Sequence, residues 1–444
     1  MAVLQRDLQA VWTSVGEPRL PPANVSSVPN ITTVELPNHL PLHRIEIPGT
    51  RAVTTLVAFD AGARTERPEE NGMAHFLEHL VFKGGEKYPH YRDVNEAAER
   101  IGAQLNAYTS HDLVAFHITA RAERALEAID LLTDFVGRPL IDPDELDRER
   151  GVVVQEIARS NDQPAMLAEH LIDQAAFGPH PLGRPVLGPE EHIRDTFTRE
   201  AIVAFRERRW SGERGAAFVV GNLSALPANG ALEELFTRFP TLPVPNPYEP
   251  APSFEPRTLV QERDSNQSHL RMSYRPSIDV ADPRWRAALV IYSTLLGGTM
   301  GSRLFDEIRE QRGLAYSVSA AGHAYADVPL LQLSAGLDST KTIEAYRRMR
   351  EIVSELRTDG PTKDEVERAR AYAAGARAIA FENTGVVARQ AAQQAILYQG
   401  DIDPDASIAR LDSVTYDQVV EVAQGIEDAL SLAVVGPHTA EDFN

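Results

Sequence analysis

The sequence predicts an α+β fold in which one structural unit is used twice. Short apolar runs typical of buried strands occur at residues 53–59 and 113–118 in the first half and at 330–333 and 430–435 in the second. Helical patterns alternate with these runs in both halves. The length of 444 residues also exceeds what one ordinary core supports, so at least two domains are expected.

A proline-rich segment divides the chain into nearly equal halves. Residues 240–256, PTLPVPNPYEPAPSFEP, contain seven prolines. Proline disrupts helix interiors and central strands, so we predict a semi-extended linker here. The predicted domains are therefore residues 1–239 and residues 257–444.

The two halves share short motifs, which indicates an internal duplication. DELDRER at residues 144–150 echoes DEVERAR at 364–370, and NAYTS at 106–110 echoes LAYSV at 314–318. In both halves a long helical pattern lies between these two landmarks.

Composition restricts the classes of function. The net charge of −20 argues against a nucleic-acid partner and is compatible with cationic peptides. No apolar run approaches the roughly 18 residues of a membrane span, and no signal peptide is recognisable, so we expect no membrane partner and a cytoplasmic location. There is no cysteine, so a metal would have to use His, Asp or Glu.

The most specific chemical signal is the pattern H-x-x-E-H at residues 75–79. Residues four apart in a helix share a face, so His75 and His79 can bind one zinc ion while Glu78 projects beside them. The pattern is the zinc-protease motif H-E-x-x-H in reverse order. The alternative is two solvated histidines on an amphipathic helix.

A third zinc ligand is expected in the helix that follows Asp142, a plausible N-cap. Glu149 and Glu156 are seven residues apart, so they lie on one face of that helix. The valines at residues 152–154 indicate that part of the helix is buried, and a buried carboxylate needs a metal or a cation as partner. At the matching offset the second half has Ala369 and Ala376, which indicates one active and one inactive half.

These motifs resemble the family of pitrilysin, insulin-degrading enzyme and mitochondrial processing peptidase, the inverzincins, in its short two-domain form. The family places a glutamate about 76 residues after H-x-x-E-H, and 76 residues separate His79 from Glu156 here. The flanking segments GMAHFLEHLVFKGGEKYP, LNAYTS, ERGVVVQE and FGPHPLGRPVLG match as well. The resemblance runs from about Val34 to Gly436. His39 and His111 are minor departures from the family pattern.

The resemblance implies a fold and a metal site. Each half would be a sandwich of a mostly antiparallel sheet with helices packed on it. His75, His79 and Glu156 would bind one zinc ion per chain, with Glu78 as the general base that acts on water at the metal. Glu149 would support the site from close by.

The resemblance also implies how the substrate is held. Asn106 and Ala107 would lie on an exposed strand edge, to which a peptide adds as an extra strand. Arg309 and Tyr316, in the second half, would grip the substrate backbone and stabilise the oxyanion. We therefore expect the two halves to act on the same carbonyl. Without the resemblance, this pair would be interpreted as a surface ion-pair residue and a core aromatic.

The function that follows is a zinc endopeptidase or oligopeptidase acting on unfolded peptides in a closed chamber. In the short form of the family two chains commonly build the chamber, so we expect a homodimer, with a heterodimer of homologous subunits left open. One alternative is a non-catalytic scaffold subunit like those of respiratory complexes. Another is a protease dedicated to one precursor or leader peptide.

Overall fold

The computed structural model describes residues 30–227, 230–241 and 248–443. Two β-sheets, one from each half of the chain, organise it. The first sheet has the order β1-β2-β6-β3-β5-β4, with strands Ile31–Glu35 (β1), Pro41–Glu46 (β2), Ala52–Phe59 (β3), Gln104–Thr109 (β4), Val114–Arg121 (β5) and Gly215–Gly221 (β6). The second has the order β7-β11-β8-β10-β9, with strands Thr258–Glu262 (β7), Gln267–Tyr274 (β8), Ala315–Ala324 (β9), Pro329–Asp338 (β10) and Ser431–Gly436 (β11). Neighbouring strands are antiparallel except β2 with β6 and β7 with β11.

Helices pack on both sheets, which confirms the predicted α+β architecture. Those of the first half are Met73–Val81 (α1), Tyr91–Arg100 (α2), Ala125–Gly137 (α3), Pro143–Asp162 (α4), Pro164–Phe177 (α5), Arg199–Arg209 (α6) and Ala231–Phe236 (α7). Those of the second half are Pro283–Ser293 (α8), Thr342–Asp359 (α9), Lys363–Ala380 (α10), Thr384–Tyr398 (α11), Pro404–Asp412 (α12) and Tyr416–Gln424 (α13). Within the described residues, none is long and apolar enough to cross a membrane.

The start of α4 follows from local sequence. The Asp142 side chain accepts hydrogen bonds from the backbone N–H groups of Asp144 and Glu145, and Pro143 occupies the first helical position. The predicted N-cap is therefore confirmed. The matching helix α10 begins at the same motif in the second half, where Thr362 and Glu365 form a capping box.

Both faces of the first sheet are buried, but against different halves of the chain. On β3, Val57 and Phe59 join the core formed with α1, α3, α4 and α6. The alternate residues Leu56 and Ala58 face the other way and pack with Val387 of α11, which comes from the second half. The sheet therefore needs the second half to cover its other face.

The second sheet is covered in the same reciprocal way. Ile172 and Ala175 of α5, from the first half, pack against Ala433 of β11. The two halves thus interlock by exchanging one helix each. Of the proline-rich segment, residues 248–256 have neither helix nor strand, and residues 242–247 lie outside the described part of the chain.

A buried ion network lies where the two halves meet. The Arg64 side chain has no solvent exposure and donates to Asp112 at 3.1 Å in the first half and to Asp327 at 2.9 Å in the second. Its guanidinium stacks on the ring of Tyr248, 4.0 Å from the centroid. The tips of the β4–β5 and β9–β10 hairpins meet beside it, where the Tyr325 hydroxyl lies 3.4 Å from His111 Nδ1.

Replacing Arg64 with methionine should destabilise the protein strongly, because Asp112 and Asp327 would then face each other without a cation. We expect the free energy of unfolding to fall by about 3–5 kcal/mol, measured by urea denaturation. A matched control is Arg124→Met, since Arg124 and Glu127 form an exposed surface pair whose loss should change the stability little. Similar losses for the two variants would contradict this role of Arg64.

Candidate metal centre

Both histidines lie on α1, whose position is set by an unusual N-terminus. Gly72 precedes the helix with φ of 97°, and a Cβ there would lie 2.7 Å from the carbonyl oxygen of Leu187, so only glycine fits. The carboxylate of Glu66 accepts hydrogen bonds from the backbone N–H groups of Gly72 at 2.9 Å and Ala74 at 2.7 Å. It also accepts one from the side chain of Asn71 at 3.1 Å. This buried carboxylate therefore fixes the start of the metal-motif helix.

The structure brings the predicted metal ligands together. His75 Nε2 lies 3.8 Å and His79 Nε2 lies 3.5 Å from Glu156 Oε2 on α4. The ligand atoms of the three residues all lie within 4.8 Å of one another. In a tetrahedral zinc site with bonds of about 2.0–2.1 Å, neighbouring ligand atoms are about 3.4 Å apart, so the donor set fits zinc.

A second carboxylate orients one of the imidazoles. His79 Nδ1 lies 2.8 Å from Glu149 Oε1, which leaves Nε2 directed at Glu156. Glu149 is also paired with Lys83, and its side chain is only 7% exposed. Carboxylates in this position fix the tautomer of a ligating histidine and raise its basicity. The Nδ1 atom of His75 is buried without a hydrogen-bond partner.

The proposed base, Glu78, is anchored on the edge of the first sheet. Its Oε2 accepts a hydrogen bond from the hydroxyl of Thr109, at the end of β4. Burial raises the pKa of the Glu78 carboxyl above its ordinary value. A raised pKa brings a carboxylate closer to neutral pH, where a general base works best.

The pKa values of the histidines diverge. Burial opposes the charged form of His79, but hydrogen bonds to Glu149 and Glu156 outweigh it and raise its pKa to about 9. Burial, and next the charge on His79, lower the pKa of His75 to about 4. A metal needs both imidazoles neutral, so binding would release the proton that His79 holds.

Comparison with known proteins identifies the family. Residues 44–190 match the profile of "Insulinase (Peptidase family M16)" and residues 196–372 match that of "Peptidase M16 inactive domain". An uncharacterized zinc protease of Mycobacterium leprae is 30% identical over 413 residues, covering 91% of this chain and 92% of that protein. The chain belongs to peptidase family M16.

The chain is also similar to a second zinc protease and, in its fold, to two solved structures. The uncharacterized zinc protease YmxG of Bacillus subtilis is 29% identical over 391 residues, covering 88% of this chain and 94% of that protein. The crystal structure of a protease from Helicobacter pylori superposes with a TM-score of 0.84 at 21% identity, covering 92% of this chain and all of that one. A chain of Complex III2 from Candida albicans shares the fold with a TM-score of 0.78 at 14% identity. The superposition covers 91% of this chain and 96% of that one.

The second M16 profile begins ahead of the second sheet. It starts at residue 196 and therefore includes β6, Gly215–Gly221. In the structure, however, β6 pairs with β2 and β3 and so belongs to the first sheet. Its description as an inactive domain agrees with Ala369 and Ala376 standing where the first half has Glu149 and Glu156.

The residues assigned to substrate binding in the first half lie at a sheet edge. Asn106 and Ala107 are on β4, the last strand in the order of the first sheet, which pairs with β5 and with no other described strand. Glu78 is tied to Thr109 on the same strand. An edge strand beside a candidate base is the arrangement that strand addition of a peptide requires.

Arg309 and Tyr316 do not reach this site within one chain. Arg309 lies on the π-helical segment Phe305–Gln311, and Tyr316, 83% exposed, lies near the start of β9. Tyr325 comes nine positions after Tyr316, just past the end of β9, so the two are about 30 Å apart along the extended chain. It is Tyr325 that meets the first half. Among the described residues, neither side chain contacts the histidines or Glu78.

Within one chain, β9 carries Tyr316 away from the contact between the halves. That this pair acts on the carbonyl held at the metal ligands therefore stays a prediction. Tyr316 is not a core aromatic, since it is exposed. An aromatic side chain this exposed is more typical of a binding surface than of a fold requirement.

The sequence motifs did not indicate Glu66, Lys83 or Thr109. Thr109 lies inside the NAYTS segment, but nothing there shows that its hydroxyl meets Glu78. Lys83 is one of only four lysines in the chain, which was an available signal. Glu66 has no local pattern, because its partners are the side chain of Asn71 and the backbone N–H groups of Gly72 and Ala74.

Glu66 should affect the metal site through the helix it caps. In Glu66→Ala, each buried donor left without an acceptor should cost about 1–3 kcal/mol of unfolding free energy. Glu66→Gln should lose less, because its amide oxygen still accepts one bond. Urea denaturation of the zinc-free protein measures both losses, and equal stability of Glu66→Ala and the parent protein would show that the cap is unimportant.

Proposed function

We propose that this protein is a zinc-dependent peptidase that hydrolyses unfolded peptides, with Glu78 as its general base. The observation that carries the proposal is the convergence of His75, His79 and Glu156 beside Glu78. Membership of family M16 and the relatives named as zinc proteases support it.

The chain's own residues supply binding and proton transfer. When bound, the metal polarises the scissile carbonyl and acidifies the attacking water. Glu78 takes the proton from that water and returns it to the leaving amine, while Thr109 holds its carboxylate in place. Glu149, paired with Lys83, keeps the imidazole of His79 in the ligating orientation.

The substrate in this proposal is an extended peptide. It adds to the free edge of β4 at Asn106 and Ala107, so that its main chain is hydrogen-bonded and its carbonyl lies near Glu78. Folded proteins cannot present such a strand, so they should resist cleavage. We also propose that the peptide is cleaved inside a closed chamber. The enclosed space would limit the size of the peptides that the protein can hydrolyse.

We also propose that two chains complete each active site. Tyr316 is exposed and lies at the end of β9 that is far from the contact between the halves, and Arg309 lies in the π-helical segment just before that strand. A second copy of the chain facing the first would bring its own pair to the carbonyl held by His75 and His79. The protein would then be a homodimer with two shared sites.

Tyr316→Phe should lower turnover by roughly 10²-fold, the effect of losing one oxyanion donor, with zinc content unchanged. A short unstructured peptide is the substrate for this assay. Zinc is measured on the same sample. Unchanged hydrolysis would show that Tyr316 takes no part in catalysis.

Mixing two inactive variants tests the shared site directly. Glu78→Gln chains lack the base and Tyr316→Phe chains lack the donor. If sites are shared, the mixed dimer has one site with both defects and one with neither, so activity returns. If each site is built within one chain, every site keeps a defect and activity stays low. Dissociation and reassembly of each variant alone is the control.

The alternatives remain distinguishable by experiment. A scaffold subunit, suggested by the fold shared with Complex III2, would purify without stoichiometric zinc and would not cleave peptides. A protease dedicated to one precursor would bind zinc but cut few members of a random peptide library. A cytoplasmic location stays a prediction and is tested by cell fractionation.

A further inference from the structure

A cavity of about 220 Å³ opens in the second half between α8, α10, α11 and α12, far in sequence from the metal ligands. Three arginines line it: Arg286 from α8, Arg377 from α10 and Arg410 from α12. The rest of its polar lining consists of amides, two hydroxyls and an imidazole, namely Gln390, Gln393, Gln394, Ser407, Tyr398 and His323. None of the described residues that line it carries a carboxylate.

The three guanidinium groups have no carboxylate partner. Within the described residues, none of them forms an ion pair, whereas arginines elsewhere in this acidic chain do so repeatedly. Arg286 donates to Gln394 at 3.1 Å and stacks on the ring of Tyr398, 3.8 Å from its centroid. Arg377 donates to Ser407 at 2.9 Å. The side chain of Arg410 makes no hydrogen bond to any described residue.

The three positive charges repel one another. Burial first, and then the charge of Arg410, lower the pKa of Arg377. Burial is also the main reason that the pKa of Arg286 is lowered; the charge of Arg410 lowers it further, and the charges of Asp282 and Asp279 oppose this. Clustered cations that form no ion pair weaken the fold unless an anion joins them.

The fold itself does not require these arginines. Helices α4 and α5 correspond to α10 and α11 at a constant offset of 220 residues, from Pro143 to Lys363 and from Pro164 to Thr384. The corresponding cavity of the first half is lined by Ile157, where the second half has Arg377. His170 and Gln174 likewise line the first cavity where Gln390 and Gln394 line the second. The first cavity is lined by one arginine, Arg184, together with Glu190 and Glu191, whereas the second is lined by three arginines and, among the described residues, by no carboxylate.

We propose that the cavity bounded by Arg286, Arg377 and Arg410 binds a small oxyanion with two or more negative charges, of the phosphate or carboxylate class. The planar guanidinium fork donates two parallel hydrogen bonds to such groups. Arg377 and Arg410 have donors available, and Gln390 and Gln393 offer amides around them. The anion neutralises the repulsion among the arginines and ties α8, α10 and α12 together.

Calorimetric titration of the full-length protein with two probes tests the proposal. Inorganic phosphate and succinate are titrated separately, with sodium chloride at equal ionic strength as the blank. We expect one anion to bind per chain. Binding of phosphate alone, of succinate alone or of both supports the site and names the class of ligand. Failure of both probes to bind at millimolar concentration overturns it.

Arginine variants locate the binding. Arg410→Gln should weaken binding at least about tenfold, the effect of one charge-assisted hydrogen bond, and Arg377→Gln with Arg410→Gln should abolish it. The control is Arg347→Gln, which removes an exposed arginine of α9 outside the cavity. Equal binding by the Arg410→Gln and Arg347→Gln proteins overturns the site.

Ligand-free stability separates binding from folding. Arg410→Gln removes a repelling charge and no hydrogen bond, so its Tm without anion should equal or exceed that of the parent protein. The rise in Tm that the anion causes in the parent protein should be lost in this variant. A variant that is destabilised without anion, yet keeps the full anion-induced rise, would assign Arg410 to the fold and overturn the proposal.

Discussion

Replacing His75 with alanine is expected to remove both the metal and the peptidase activity. His75, His79 and Glu156 are the three protein ligands of the candidate site, and a catalytic zinc site with only two protein ligands holds the metal weakly. His75 is also buried, so bulk water does not readily supply the metal ligand that is lost with its imidazole. Zinc measured after dialysis should fall from about one per chain to a small fraction.

The matched control for this experiment is His90→Ala. His90 is exposed ahead of α2 and has no part in the candidate site, so the variant should keep zinc and activity. Far-ultraviolet circular dichroism shows whether each variant is folded. A folded His75→Ala protein that keeps stoichiometric zinc would mean that the ligands are misassigned.

The grouping of the candidate metal ligands could be predicted in part because it depends on local periodicity. Two histidines four residues apart and two glutamates seven apart share a face in any helix, whatever the helix packs against. The start of α4 could also be predicted from neighbouring residues, because Asp142 as N-cap followed by Pro143 is a sufficient signal for the start of a helix. What the sequence alone could not show is that α4 crosses α1 so that Glu156 meets both histidines; the spacing known from the resembling family supplied that step.

Strand register was not predictable from short motifs. The segments NAYTS and LAYSV look equivalent, but pairing within the sheets gives a different match. Tyr108 is next to the last pair of its hairpin, Thr109 with Val114, whereas Tyr316 lies at the opposite end of β9 from the last pair of the other hairpin, Ala324 with Pro329. Tyr316 is therefore not the counterpart of Tyr108. Backbone pairing sets register, and a few matching letters do not encode it.

The contacts between the two halves were also beyond the sequence. The patterns showed that α5 and α11 are helices, but not that each covers the sheet of the other half. His111 stood out only as a departure from the family pattern, and it lies at the meeting point of the two hairpins, beside Tyr325. Such contacts join residues more than 200 positions apart, where periodicity carries no information.

Replacing Glu78 with glutamine should separate catalysis from metal binding. Glutamine keeps the size of the side chain and its hydrogen bond with Thr109, but an amide does not accept the proton of the attacking water. Turnover should fall by about 10²–10⁴-fold or more, while zinc content and Tm stay close to those of the parent protein. Peptides should remain bound to the inactive protein, where mass spectrometry can identify them.

Glu149→Gln is the informative comparison, because it changes a carboxylate that touches a ligand rather than the water. Glu149 orients His79, so its loss should weaken zinc affinity by about 10–100-fold and should be largely corrected by excess zinc. Added zinc should not restore Glu78→Gln. Near-normal hydrolysis by the Glu78→Gln protein, or its rescue by zinc, would mean that another group is the base and that Glu78 serves only to position the helix.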